Sequence, residues 1–68
     1  MQADEIKKLD VFFKKTFNME NISVRGRPQK HDSAEVYMGD EFLGVIYKDE
    51  EEGELSYNFS MAILDMDL

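Results

Sequence analysis

Cysteine is absent from this 68-residue chain, which excludes disulfide staples and thiolate metal ligands together. Histidine occurs once, at His31, in a segment read as a loop. With no cysteine nucleophile beside it, general-base and covalent catalysis have little to work with. No apolar run approaches the roughly 18 residues of a membrane span. Residues 1–9 are charged and patterned as a helix rather than as a signal peptide. The expected setting is therefore a reducing cytoplasm, with a soluble protein, no membrane and no cofactor. Basic residues are scarce too: eight Lys and Arg stand against fifteen Asp and Glu, for a net charge of −7.

That charge is unevenly laid out. Residues 1–20 are neutral, and residues 21–31 carry Arg25, Arg27 and Lys30 against no acid. Residues 32–68 hold eleven acids against Lys48 alone. An acidic half of this size opposes docking to DNA, RNA or anionic lipid. Hydrophobic residues make up 43% of the chain, enough for one thin core and too many for disorder. The length predicts a single domain over residues 1–68, burying about 60% of its unfolded surface, with a stability of a few kcal/mol.

What the chain does have is periodicity. Ile6, Leu9, Phe13 and Phe17 recur at helical spacing, which predicts an amphipathic helix over residues 4–17. Asp4 and Glu5 at its start and Lys14 and Lys15 near its end suit the helix dipole, and Asn18 suits a left-handed terminator. Ile22 and Val24 predict a short strand over residues 21–25, which Gly26-Arg27-Pro28 then breaks. Residues 26–32 read as a flexible basic loop.

Three further runs alternate at the period of a strand: Ala34-Val36-Met38, Leu43-Val45-Tyr47 and Leu55-Tyr57-Phe59-Met61-Ile63. Gly39-Asp40 suits a two-residue II′ turn, which sets Val36 opposite Leu43 and Ala34 opposite Val45. Counting back across the loop at residues 49–53 sets Tyr47 opposite Leu55, Val45 opposite Tyr57 and Leu43 opposite Phe59. The expected fold is α+β: an N-terminal helix packed on one face of a three- to four-stranded antiparallel β-meander ending near residue 65. The expected core is Ile6, Leu9, Phe13, Phe17, Val24, Val36, Leu43, Val45, Tyr57, Phe59 and Ile63.

Several blocks carry a resemblance as they stand: Glu5-Ile6-Lys7-Lys8-Leu9-Asp10, Asp32-Ser33-Ala34-Glu35-Val36-Tyr37, Gly39-Asp40-Glu41-Phe42-Leu43-Gly44-Val45-Ile46-Tyr47, and Ser56-Tyr57-Asn58-Phe59-Ser60-Met61-Ala62-Ile63-Leu64-Asp65. Over nearly the whole length the chain resembles a family of short alphaproteobacterial proteins of unknown function. The resemblance implies a bacterial cytoplasmic origin and a stand-alone small domain. It implies no activity and no site residue.

Three motifs invite functional readings. Arg25-Gly26-Arg27-Pro28, with Lys30 near, spells the core of a minor-groove-binding AT-hook. Its shortness, the acidic chain around it and the strand at its start count against that reading. Asp49-Glu50-Glu51-Glu52-Gly53-Glu54 offers carboxylates to a hard cation, but consecutive side chains at a hairpin tip diverge, and a solvated loop is the simpler account. The third motif is the sheet face away from the helix, where the expected register places Tyr37, Phe42 and Ile46 together. Tyr37 and Phe42 stand directly opposite, as a hairpin-stabilising aromatic pair. With one helix covering only one face, the cluster also reads as an interface for a protein partner or a second copy. The function expected is a non-catalytic protein-interaction module using this face or an exposed strand edge; the alternative is a weak nucleic-acid binder through the basic loop 25–30. Phe13→Ala should cost about 3–5 kcal/mol, measured by chemical denaturation; an unchanged curve refutes a helix packed on the sheet.

Overall fold

The computed structural model describes residues 1–68, the side chain of Glu52 excepted. It contains helix α1 (Ala3–Phe17) and strands β1 (Ile22–Arg27), β2 (Lys30–Met38), β3 (Glu41–Asp49) and β4 (Ser56–Ser60), with 3-10 turns at Glu51–Gly53 and Asp65–Asp67. The strands form one antiparallel sheet in the order β1-β2-β3-β4, an open meander with the helix on one face. Among the described residues no helix is long and apolar enough to cross a membrane.

The helix begins and ends where its sequence dictates. The Glu5 carboxylate accepts the Gln2 backbone N–H at 3.1 Å, satisfying one of the orphan donors of the first turn. Asn18 takes φ 53°, and the Met19 N–H reaches back to the Lys14 carbonyl at 3.0 Å, a left-handed stop of the expected kind. Leu9 and Phe13 are buried against Ile22, Val24, Ala34, Val36 and Ile46. The helix lies over β1, so close that a Cβ on Gly26 would stand 2.8 Å from Ile6 Cδ1. Gly26 is thus explained by helix packing.

Residues 26–32 are not a flexible loop. β1 runs through Arg27, Pro28-Gln29 makes the turn, and β2 begins at Lys30. Pro28 sits where no ladder donor is needed, so it bends the chain without ending the sheet.

The largest departure from expectation lies in β3. The two-residue turn and the Tyr37–Phe42 pair are as expected, but the register then shifts: Val36 faces Gly44, Glu35 faces Val45 and Ala34 faces Ile46. Leu43 is the extra residue of a β-bulge. Leu43 and Ile46 are three apart, a spacing that no regular strand can place on one face. The bulge does so, and both pack toward the helix. Beyond it every side chain of β3 points opposite to the straight reading. Ile46 is 1% exposed, Lys48 joins the helix face, and Val45 turns outward.

β4 keeps its expected phase, with Tyr57 and Phe59 on the helix face, but pairs three residues further along: Ile46 with Phe59 and Lys48 with Tyr57. The strand also ends at Ser60 rather than near residue 65, leaving Ile63 66% exposed. Phe17, expected inside, is half exposed and stacks on Phe13 with ring centroids 5.5 Å apart. The core is therefore displaced toward β1 and β2, and the expected members Phe17, Val45, Phe59 and Ile63 fall outside it.

The inverted phase has a direct check. Ile46→Ala should cost about 2–5 kcal/mol of unfolding free energy, and Val45→Ala about 1 kcal/mol or less. Denaturant titration of the two variants separates the registers, since the straight reading demands the opposite order.

Candidate interaction site: an open sheet edge beside an apolar cleft

The sheet has two edge strands, and the sequence treats them differently. On β1, the N–H of Val24 points away from β2 and donates to Asp10 Oδ1 at 2.9 Å. Asp10 is also held by Lys14, four residues on along the helix. Burial alone would raise the Asp10 pKa, but the Lys14 ammonium and the Val24 amide outweigh it and hold the carboxyl below its ordinary value. Arg25, Arg27 and the Pro28 turn complete a charged, helix-covered edge, the usual defence against stray strand pairing.

β4 has none of these devices. Ser56-Tyr57-Asn58-Phe59-Ser60 contains no charge and no proline, and no bulge interrupts its pairing with β3. Among the described residues, no side chain caps its outward backbone groups. Which groups these are follows from alternation along an antiparallel ladder. The Val24 amide faces away from β2, so its partner Val36 bonds onward to Gly44; Tyr47 then bonds to Asn58, and Tyr57 and Phe59 present N–H and C=O to the outside.

Beside this edge the helix leaves an apolar cleft. Phe12, Phe13, Phe17, Tyr57 and Phe59 enclose about 340 Å³ above Ile46. Phe13 meets Phe59 edge to face at 5.3 Å, yet Phe12 remains 58% exposed at the rim. Leu55 and Lys8 extend the groove toward the helix N-terminus.

That end of the cleft is locked by three side chains. Tyr57 Oη donates to Glu5 Oε2 at 2.7 Å, and Lys48 Nζ lies 2.8 Å from the same oxygen. Lys48, then Tyr57 and the Gln2 amide, pull the Glu5 pKa down to about 2. Reciprocally, Glu5 raises the pKa of both Lys48 and Tyr57. The cluster ties α1 to β3 and β4; every polar atom in it is already engaged by its neighbours, which suits a latch.

The residues singled out in the sequence are only partly brought together. Tyr37 and Phe42 form the expected cross-strand pair, T-shaped with centroids 5.7 Å apart, but Ile46 lies on the other face of the sheet, in the core. The aromatic pair is well engaged within its own chain. The Arg25 guanidinium sits 4.0 Å over the Tyr37 ring and donates to the Gly39 carbonyl, while Tyr37 Oη donates to Glu35. Arg27 donates to Ser33 Oγ at 3.2 Å and pairs with Glu35. Lys30 opens β2, exposed, and His31 follows it, also exposed. In the acidic turn, Glu52 has its side chain outside the described residues; among those described, no cluster of metal-ligating side chains occurs.

The open β4 edge was legible as a neutral strand in an acidic chain. The cleft was not, because its floor is Ile46, whose placement depends on the bulge. A family model described as a protein of unknown function, DUF3126, matches residues 5–67. No curated protein and no solved structure matches the chain.

The latch has a pH signature. A carboxyl held at about 2 in the fold and near 4.5 when unfolded stabilises the fold above pH 4.5 and loses that contribution as pH falls toward 2. Glu5→Gln should therefore lower the melting temperature at pH 7, with the gap to the parent closing between pH 4.5 and 2. A gap that is constant with pH refutes the latch.

Proposed function

The chain belongs to the DUF3126 family, whose description assigns no activity, and we propose that it is a non-catalytic protein-interaction module working through the β4 edge and the cleft beside it. The observation that carries this reading is the contrast between the two edges: one sealed by Asp10, arginines and helix, the other neutral, uncapped and flanked by half-exposed aromatics. Strand addition at such an edge uses backbone hydrogen bonds for affinity and the neighbouring groove for side-chain selection.

This surface replaces the Tyr37, Phe42 and Ile46 face as the leading candidate. With Ile46 in the core, the remaining pair already has Arg25 and Glu35 as partners. The same engagement weakens the nucleic-acid reading. Arg25 and Arg27 lie on a paired strand instead of an extended mobile segment, and Gly26 serves the helix. The proposal that the protein is no enzyme is supported by the exposure of His31 and by the closed Glu5, Lys48 and Tyr57 cluster. A bacterial cytoplasmic setting is part of the same reading, supported by the absence of cysteine.

Photo-cross-linking in cells tests the surface. A photoreactive residue placed at Leu55, at the mouth of the cleft, should give a nuclease-resistant protein adduct. The same residue at Phe42, on the other face, should give little. Adducts at Phe42 with none at Leu55 would overturn the assignment.

A further inference from the structure

We propose that the occupant of the open edge is a second copy of this chain, its β4 pairing antiparallel with the first about a two-fold axis through Asn58. Two four-stranded sheets would join into one of eight strands. The inference rests on the interaction-module reading and adds the identity of the partner.

Four observations converge on it. The first is self-complementarity. Ser56-Tyr57-Asn58-Phe59-Ser60 reads the same in both directions by residue class: serine, aromatic, asparagine, aromatic, serine. A two-fold at Asn58 sets Tyr57 opposite the other copy's Phe59 and Ser56 opposite its Ser60, as an isologous interface requires.

The second is hydrogen-bond parity. Tyr57 and Phe59 carry the outward backbone groups, as the alternation from Val24 across the sheet establishes. In the proposed register they face each other and exchange N–H···O=C bonds in pairs. Asn58, whose backbone faces β3, falls on the axis as a non-bonded pair. A register offset by one would oppose bonding groups with non-bonding ones and aromatics with serines.

The third is charge. The chain carries −7 overall, yet β4 is neutral. The seam therefore runs through Ser56–Ser60 alone, and no acid meets an acid along it.

The fourth is closure. Among the described residues β4 has no side-chain bond to its outward backbone, whereas β1 has its central Val24 N–H taken by Asp10 and α1 packed over it. One open edge per chain ends assembly at two copies, where two open edges would give a filament.

The axis residue supplies the test. Asn58 is exposed on the outer face of the sheet, so a charge there leaves the core untouched. Sedimentation equilibrium of the parent should give twice the 8.0 kDa chain mass. Asn58→Lys and Asn58→Glu should each give the single-chain mass, since two like charges meet on the axis, and an equimolar mixture should recover the doubled mass. Circular dichroism confirms that the variants fold. Amide exchange at Tyr57 and Phe59 in the parent, which needs no variant, should slow as protein concentration rises. A parent of single-chain mass at 0.1 mM (roughly the weakest affinity a stable interface would show), concentration-independent exchange, or doubled mass in both folded charge variants would each overturn the proposal. A Leu55 cross-link to a chain of another mass would sink the dimer while keeping the interaction module; no adduct at Leu55 would remove both.

Discussion

Gly44 lies where the chain leaving β4 passes over β3, and this crowding governs much of the molecule. A Cβ at Gly44 would run into the Ser60 carbonyl and stand 2.9 Å from both Met61 Cβ and the Phe59 ring. No other residue lets the last strand approach so closely. The bulge at Leu43 brings Gly44 onto that face in the first place. From the same local event follow the burial of Ile46, the turning of Lys48 toward Glu5 and the seating of Phe59 against Phe13. Core, latch and cleft floor are three consequences of one extra residue.

The off-centre helix is the second determinant. Ile6 against Gly26 and Asp10 against the Val24 amide draw α1 over β1, so it covers the first half of the sheet and stops short of β4. The contacts that seal one edge thereby leave the other uncovered. Asp10 does two jobs with one carboxylate, anchoring Lys14 on the helix and removing a free strand donor. The half-exposed Phe12 and Phe17 follow from the same displacement: the stripe that would have met a centred sheet overhangs a cleft.

Much of this was written in the sequence in local terms. The helix with its Asn18 stop, the Gly39 turn and the Tyr37–Phe42 pair all depend on neighbours a few residues away, and they stand as expected; the antiparallel meander does too, though β1 and β2 run further into residues 26–32 and β4 ends sooner. The inverted faces of β3 have one physical origin: register is carried along a strand by counting, and a single bulge inverts every later side chain. The clue was present in Leu43 and Ile46, two large apolar residues at odd spacing around a strand glycine. The β3–β4 offset was hidden differently, since the loop at residues 50–55 admits more than one length of pairing. Alternation through Ile63 looked like strand, but pairing with β3 stops where Val45 meets Ser60, next to the bulge at Leu43, and the chain crosses over Gly44. As for the site, the neutral character of β4 was visible in composition, whereas the sealing of β1 came from a contact fourteen residues apart in sequence.

The shortage of buried surface ties the fold to the proposed association. A chain of this length hides a smaller fraction of its surface than a larger domain would, and here the completely enclosed side chains are few: Ser33, Ala34 and Val36 on β2 and Ile46 on β3. Around β4, by contrast, Leu55, Phe12, Phe59 and Met61 stay substantially in water. Apolar area of that kind stabilises nothing until something covers it. A partner strand on β4 would bury it and satisfy the outward groups of Tyr57 and Phe59 in the same step. Association of this sort adds to folding stability by mass action, since the unfolded chain offers no such edge. The sealed edge and the open one then have complementary roles: β1 and α1 hold the single chain together, and β4 gives it a reason to be found in company.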